Sequence, residues 1–598
     1  MKRIAALLLV LTLIFPLTAC FGGKAVYPSQ SANESEDDAV VITLGDKITV
    51  SGLGATVDGS KIAITSAGTY SMSGTLDDGQ IVVKTEDTET VKLILNGVDI
   101  TCSKSAPIYV FNAEKTVIAL ADGTENYVTD GDSYIFADST SDEPNAAVFS
   151  KDDLTICGNG SLTVNANYNN GIQSKDDLEI TGGNITVNAV NDGIKGRDSI
   201  AVKDTNITVN AGADGMQSNN DEDSEKGYIS IESGTINITA GEDGIQAETS
   251  LIISGGNITI SSGGGSVNGS KADSSGNNQG DWGMGNNSDI SSSSGSAKGL
   301  KAAVDITIEG GTINIDSSDD SIHSNDSLTI KGGNIILASG DDGIHSDSTL
   351  EISGGDISIT KCYEGIDSEA ITINDGNINL VASDDGINSA GGNDGFLMGR
   401  RPGQNNFDSS GDNYLHINGG YIAIDAIGDG LDINGPIDMT GGIVIVNGPT
   451  SNFNGALDYY GAFRITGGFL VAVGSSGMAQ APSTSSTQYS VMLNLSSSQS
   501  ADTMVHFETE DGEEILTFVP TKAYQSIVLC SPELKNGSTY IVYSGGSSTG
   551  TATDGLYSSG IYTAGTQITS FTISSIVTSI GSSSGGFPGG GGGRTPRR

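Results

Sequence analysis

An acidic turn followed by an aliphatic residue recurs along this chain at an almost constant interval. In the clearest block the turn position falls at Ser321, Gly343, Gly365 and Gly386, in steps of 22, 22 and 21 residues. An earlier block keeps the interval, with glycines at 171, 193 and 215. A repeat of this length is typical of solenoids, in which each unit buries its apolar face only against its neighbours. The sequence therefore predicts one elongated stack of repeats.

Each period also contains two strand-like segments joined by a Gly-Gly pair, as in LEITGGNITV at residues 178–187. Alternating aliphatic residues are the pattern of a strand with one buried face. The Gly-Gly pair indicates a bend that needs positive φ or a close backbone approach. A leucine-rich repeat would need helical returns, and a propeller roughly 40 residues per blade. We therefore predict an all-β fold, a right-handed parallel β-helix with about 22 residues per coil.

Both ends of the chain depart from the repeat. A basic start and an apolar run predict an export signal at residues 1–20, and its end, Leu17-Thr18-Ala19-Cys20, resembles a bacterial lipobox in which the cysteine carries the lipid. A polar tether follows at 21–40. The coils with their N-terminal β cap occupy 41–483, interrupted by low-complexity insertions at 263–295 and 391–411. A strand-rich C-terminal segment covers 484–584, and a disordered tail covers 585–598. These features predict an extracellular protein that is lipid-anchored to a bacterial membrane.

The charge balance narrows the range of partners. The chain has 28 basic and 73 acidic residues, which gives a formal net charge of −45. Nucleic-acid binding needs a basic footprint, which this balance does not offer. We expect no nucleic-acid partner, and membrane contact only through the lipid.

The acids before the turn predict a metal. Equivalent residues of stacked strands lie about 4.8 Å apart, so these acids form a column in which their charges repel. Calcium relieves such repulsion because it takes six to eight oxygen ligands and bridges carboxylates. Alternatively, Asp and Asn before Gly only satisfy the turn through bonds to the backbone. We favour Ca²⁺. The predicted ligands are Asp192, Asp214, Glu242, Asp243, Asp319, Asp320, Asp341, Asp342, Glu364, Asp384 and Asp385.

A second column lies two residues after each turn position, and its chemistry changes from amide and basic to imidazole and acidic along the stack. Strand alternation predicts that it faces outward, as a polar face suited to the hydroxyls and carboxylates of a sugar chain. His323 above His345 is compatible with a transition metal, although hydrogen-bonded or solvated imidazoles are the preferred interpretation. The predicted substrate-binding residues are Lys195, Arg197, Lys301, His323, His345 and Asp367.

Three phrases near the N-terminus carry a family resemblance: residues 67–83, residues 93–100 (LILNGVDI) and residues 123–126 (GTEN). Together with the Asp-Gly-Ile coils, they resemble a family of carbohydrate-binding bacterial surface lipoproteins, typified by a clostridial protein that binds cellulose and acidic sugars. The resemblance covers roughly residues 40 to 580. It implies a calcium-binding right-handed parallel β-helix with a fold like that of polysaccharide lyases, which recognises cell-wall polysaccharide. No catalytic motif is carried over.

Three functions fit these patterns. The first is calcium-dependent binding of cellulose or of acidic plant cell-wall glycans such as pectin. The second is a calcium-dependent polysaccharide lyase, in which a basic residue abstracts the proton that the metal acidifies. Its candidate bases are Lys195, Arg197 and Lys301, and none has a second basic residue nearby to lower its pKa. The third is a structural or adhesive surface protein. The sequence predicts no catalytic residue.

Overall fold

The computed structural model describes residues 39–136, 138, 140–271, 297–389 and 413–581. The predicted signal segment, Cys20, almost all of the tether, most of the first insertion, the second insertion and the tail lie outside the described residues. No helix among the described residues is long and apolar enough to cross a membrane.

The described chain runs through coils, each of which passes three ladders of parallel strands. Strands of one coil pair in register with those of the next, so Ile322 lies opposite Ile344, and Ile344 opposite Ile366. The steps of 22 residues match the sequence repeat, and the all-β prediction is confirmed. A single short 3-10 turn, Ser266–Asn268, is found in the described part.

The first ladder follows the acidic turns. Its strands are Gln80–Lys84, Ile108–Asn112, Ala146–Ser150, Asn170–Ser174, Ile194–Gly196, Met216–Ser218, Ile245–Ala247, Leu300–Ala302, Ile322–Ser324, Ile387–Ser389, Leu431–Ile433 and Leu457–Tyr459.

The second ladder precedes the Gly-Gly bend. Its strands are Lys115–Leu120, Ser199–Val202, Tyr228–Ile231, Ser250–Ile253, Asp305–Ile308, Ser327–Ile330, Tyr414–Ile417, Ile437–Met439 and Phe463–Ile465.

The third ladder follows that bend. Its strands are Glu125–Asp130, Asn206–Ala211, Thr235–Ala240, Asn257–Ser262, Thr312–Ser317, Asn334–Ser339, Tyr421–Ala426, Ile443–Asn447 and Phe469–Gly474.

Longer strands run through a bend and serve two or three ladders. They are Gly68–Leu76, Val91–Cys102, Asp153–Ala166, Asp177–Ala189, Ile344–Lys361 and Ile366–Ala382.

Glycine permits the tight stacking at two places in a coil. At the Gly-Gly bend the second glycine has positive φ, 100° at Gly256 and 110° at Gly333, where a side chain would be strained. At the acidic turn the constraint is space, because a Cβ on Gly215 would lie 2.5 Å from the carbonyl oxygen of Gly244 in the next coil. The repeated glycines therefore set how closely successive coils approach.

The core is a stack of aliphatic side chains inside the three ladders. Ile322, Ile344 and Ile366 are each fully buried, and one such side chain contributes roughly 1.5–3 kcal/mol when it leaves water. The alternation that the sequence shows therefore places aliphatic residues inward and polar residues away from this core.

Different structures close the two ends. At the N-terminal end Val40–Thr43 pairs antiparallel with Thr49–Val50, and Ala55–Asp58 with Lys61–Ile64. At the C-terminal end the strand Phe469–Gly474 pairs antiparallel with Tyr524–Cys530, which also pairs with Ser490–Gln499, and Val577–Ile580 adds to that strand. These contacts cover strand edges that would otherwise be open to association.

A second sheet packs near the C-terminal end. Its described strands pair antiparallel, and they are Val505–Thr509, Glu514–Phe518, Thr539–Ser548, Ala552–Thr553, Leu556–Tyr557 and Tyr562–Thr572.

The insertions leave the ladder register intact. Ile245 pairs with Leu300 across the first insertion, and Ile387 pairs with Leu431 across the second. The strands on the two sides of each insertion therefore pair as those of consecutive coils.

Candidate metal centre

The residue before each turn glycine forms the acidic column, and its side chain bonds the next coil. One carboxylate oxygen of Asp214 accepts the backbone N–H of Asp243 at 2.9 Å, and one of Asp320 accepts the N–H of Asp342 at 3.0 Å. The same bond joins Asp385 to the N–H of Asp429 at 2.5 Å. The predicted hydrogen bonds between acidic side chains and the backbone are therefore present, but they connect one coil to the next rather than closing a single turn. Each acid keeps a second oxygen for another partner.

In the first part of the column that second oxygen is mostly bound by a basic side chain. Lys195 Nζ lies 2.8 Å from Asp192, and Lys301 Nζ lies 2.8 Å from Asp243. We call the column from Asp192 to Asp320 the compensated segment. Asp214 is its exception, because its partner is the amide of Gln217 and burial raises its pKa to about 7.

Lys298 supplies the positive charge in the coil that follows the first insertion. It occupies the acidic-column position before Gly299, and its ammonium lies 2.6 Å from Asp320 and 3.1 Å from Asp319. Burial disfavours the charge on Asp320, but His323 and Lys298 outweigh it and hold the pKa of that carboxyl well below its usual range. Sequence reasoning missed this role, although aligning Lys298-Gly299-Leu300 with the Asp-Gly-Ile turns places lysine where the acid stands.

The second column lies against the acidic column, so the prediction that it is displayed to solvent is wrong for its central members. The side chains of His323, His345 and Asp367 are 9%, 1% and 7% exposed. The side chain two residues after the turn position contacts the acid that lies immediately before that position. His323 and Asp320 make this contact at 2.8 Å. Strand alternation alone does not reveal that the acidic column buries these side chains.

The predicted substrate-binding lysines and arginine are held in ion pairs. Lys195 and Lys301 are the counter-ions described above, and Arg197 pairs with the exposed Glu222 at 2.5 Å. Burial opposes the charge on His345, but hydrogen bonds to Asp342 and Asp367 outweigh it and raise its pKa to about 12. Most of the predicted substrate-binding residues are therefore paired with carboxylates of this protein.

Four acids in the coils that follow His345 have no basic side chain as an ion-pair partner among the described residues. We call Glu364, Asp385, Asp429 and Asp432 the uncompensated cluster, since no ion pair in the described ranges involves any of them. Carboxylate oxygens of Asp385, Asp429 and Asp432 lie within 4.8 Å of one another. Burial is the main cause that raises their pKa values, and neighbouring acids add to it. The pKa is about 8 for Glu364, about 9 for Asp385, about 7 for Asp429 and about 6 for Asp432.

Unsatisfied oxygens adjoin this cluster. Asn388 pairs in register with Asp367 on one side and Asp432 on the other, and its buried Oδ1 has no hydrogen-bond partner. The buried Oδ1 of Asp367 also has none. Buried oxygens of this kind are normally satisfied. A set of carboxylates with a free amide oxygen is the hard-oxygen donor set that calcium prefers, so these residues fit the ion.

The remaining predicted ligands fall into different surroundings. Glu242 is exposed, and Asp319 belongs to the Lys298 pair. Asp341 lies 2.7 Å from Lys271, and Asp342 bonds His345. Asp384 flanks Asp385 and contributes to its raised pKa. Of the predicted set, Glu364, Asp384 and Asp385 are thus brought to the cluster, whereas Asp429 and Asp432 were not among the predicted ligands.

The sequence of the chain matches a known family. Residues 58–343 match the family model of carbohydrate-binding domain-containing proteins. Over these residues, just under half of its length, the chain is similar to this family.

Two relatives accompany the family match. One is a carbohydrate-binding domain-containing protein of Acetivibrio thermocellus, 48% identical over 174 residues, which are 29% of this chain and 60% of the relative. The chain thus spans less than two thirds of that relative. The other is the solved structure of a polysaccharide lyase-like protein from C. thermocellum, a gadolinium derivative, with 46% identity, 38% coverage of this chain, 92% coverage of that chain and a TM-score of 0.37.

The family match and the uncompensated cluster occupy different parts of the chain. The matched residues end at 343, so they include the compensated segment. Glu364 and Asp432 lie beyond that boundary. The case for a metal in this chain therefore rests on the geometry of its own coils.

Proposed function

We propose that this protein binds polysaccharide at the bacterial cell surface in a calcium-dependent manner, with cellulose or acidic plant cell-wall glycans such as pectin as its ligands. Cys20 would carry the lipid that anchors it outside the cell. We also infer that the coils wind as a right-handed parallel β-helix, the usual hand for parallel strands joined by crossovers. The observation that carries the calcium proposal is the uncompensated cluster.

The side chains of the cluster have separate roles in this proposal. Asp385, Asp429 and Asp432 would hold the ion, and Asn388 would offer its free amide oxygen. A bound calcium ion supplies positive charge and coordination positions that sugar carboxylates and hydroxyls can fill. Such a site makes a chain of net charge −45 compatible with an acidic glycan.

Binding is favoured over the lyase reaction by the state of the candidate bases. A proton-abstracting lysine must present a free amine near the metal. Lys195 and Lys301 instead hold carboxylates at 2.8 Å, and both lie in the compensated segment. We therefore propose a binding protein.

The test is retention of the purified protein on insoluble cellulose and on pectin, with calcium and then with chelator. We expect retention in calcium and release by chelator on at least one of the two. Equal retention in both conditions would refute calcium dependence, and no retention on either would refute the binding proposal. Absorbance of unsaturated uronate in the same incubation would instead establish a lyase.

Two variants make the test specific to the cluster. The double variant Asp385→Asn/Asp432→Asn keeps the side-chain shapes and removes two charges, so we expect it to lose calcium-dependent retention. Glu242→Gln is the matched control, because Glu242 flanks the same column but is exposed. Loss in both variants would show that overall charge, not this cluster, controls retention.

A further inference from the structure

Two histidines in consecutive coils form a parallel stack. His323 and His345 pair in register on neighbouring strands, and their ring centroids lie 4.7 Å apart with an angle of 7° between the planes. Their side chains are 9% and 1% exposed. The two rings are therefore fixed in one orientation by the strands that carry them.

Carboxylates occupy the same side of both rings. Nδ1 of His323 lies 2.8 Å from Asp320, and Nδ1 of His345 lies 3.3 Å from both Asp342 and Asp367. A carboxylate at one ring nitrogen holds a proton there and makes the other nitrogen the ligand, which is the outer-shell arrangement of metal-binding histidines.

Oxygen donors occupy the opposite side. Nε2 of His345 lies 3.0 Å from Oδ1 of Asp347, and Nε2 of His323 lies 2.9 Å from Oδ1 of Asn325. A ligand atom from each histidine and one from Asp347 all lie within 4.8 Å of one another. Asp347 is 40% exposed, so the group opens to solvent on this side.

We propose that His323, His345 and Asp347 form a binding site for a divalent transition-metal ion such as Zn²⁺, separate from the calcium cluster. Two imidazoles and one carboxylate suit zinc, copper or nickel better than calcium, which prefers oxygen ligands alone. Zinc lies about 2.0–2.1 Å from a histidine nitrogen, so the two rings, which are parallel in this structure, must turn until both Nε2 atoms point at one ion. Asn325 or water fills the fourth position.

The metal replaces protons in this site. Without it, a protonated His345 balances the acids that surround it. With it, each Nε2 gives its electron pair to the ion, and any Nε2 proton passes to solvent. Affinity is therefore expected to rise with pH.

The test uses the full chain, free of tags and treated with chelator, titrated with Co²⁺ and followed by visible absorption, and with Zn²⁺ followed by calorimetry. We expect the absorption of a four-coordinate cobalt site and one zinc ion per chain with micromolar or tighter affinity. Neither signal at micromolar metal would overturn the proposal.

Variants assign the signal to these side chains. Asp347→Asn changes a partly exposed ligand while keeping an oxygen near Nε2, and we expect its zinc affinity to fall at least about tenfold, as even outer-shell losses do. His323→Gln should abolish the cobalt absorption, with thermal melting to verify folding. His416→Gln is the control, because His416 is 40% exposed and stacks on Tyr414 elsewhere. Unchanged binding in Asp347→Asn and folded His323→Gln would refute the assignment.

The calcium proposal can fail independently of this one. The variant Asp385→Asn/Asp432→Asn should keep the cobalt signal, and millimolar calcium should not displace the metal. If either change removes the signal, the ion occupies the carboxylate cluster and the histidine site is refuted.

Discussion

The two parts of the acidic column share one backbone and differ in the origin of their positive charge. In the compensated segment the ammonium groups of Lys195, Lys298 and Lys301 lie 2.6–2.8 Å from their nearest carboxylate oxygens. In the uncompensated cluster Asp385, Asp429 and Asp432 face one another without a basic partner in the described ranges. The bonds from carboxylate to next-coil N–H are found in both. The acid at each turn is therefore a structural element of the coil, and only the missing counter-ion marks a place for a ligand.

The largest expected effect comes from removing a counter-ion of the compensated segment. Lys298→Met leaves the buried Asp320 without its ammonium, and breaking a buried pair in this way costs about 3–5 kcal/mol. Chemical denaturation measures the loss. Lys331→Met is the control, because its pair with Glu309 is exposed and such pairs contribute little. Equal losses would mean that Lys298 acts only as another surface charge.

Calcium removal should act on the other part of the column. A ligand at about a hundred times its dissociation constant stabilises the folded state by about 2.7 kcal/mol, so chelator should lower the melting temperature. Hydrogen exchange should then rise in the coils around Asp385 and Asp429 and stay unchanged around Asp192. A uniform rise along the stack, or an unchanged melting curve, would contradict the comparison.

A smaller effect is expected from neutralising one acid of the cluster. Asp385→Asn keeps an oxygen that can accept the N–H of Asp429 and removes a carboxyl group whose ionised form burial disfavours. In chelator we expect the variant to be more stable than the parent by about 1–2 kcal/mol, since a tenfold change in a protonation equilibrium corresponds to about 1.36 kcal/mol. In calcium its thermal shift should shrink. A variant less stable than the parent in chelator would show that Asp385 is compensated after all.

The last expected effect is a gradual dependence of stability on pH. Glu364 and Asp385 have pKa values of about 8 and about 9 in the folded chain, above those of free carboxyls. The folded state then binds more protons than the unfolded state, so stability in chelator should fall as pH rises from about 4 towards 9. Calcium should flatten the curve and release protons on binding. A stability that rises with pH in chelator would exclude these raised values.

The sequence was sufficient for the features that repeat. The period, the all-β class and the aliphatic core follow from alternation and glycine spacing, and the register of Ile322 with Ile344 agrees with them. Single departures from the repeat were harder to interpret. The roles of Lys298 and Lys301 depend on which coil each side chain meets, and Lys301 reaches back to Asp243 in the preceding coil. The burial of His345 depends on side chains that fold over its strand, which the alternation pattern does not record.

Strand pairing is preserved across both insertions, from Ile245 to Leu300 and from Ile387 to Leu431, so the length of such a chain can change during evolution. A gene for such a chain can gain sequence at these bends, or duplicate a whole period, without any strand losing its neighbour. The insertion or deletion of one residue inside a strand would instead turn every later side chain of that strand to the opposite face of the sheet. Relatives of different length are therefore expected to differ by complete periods and by loops at these bends.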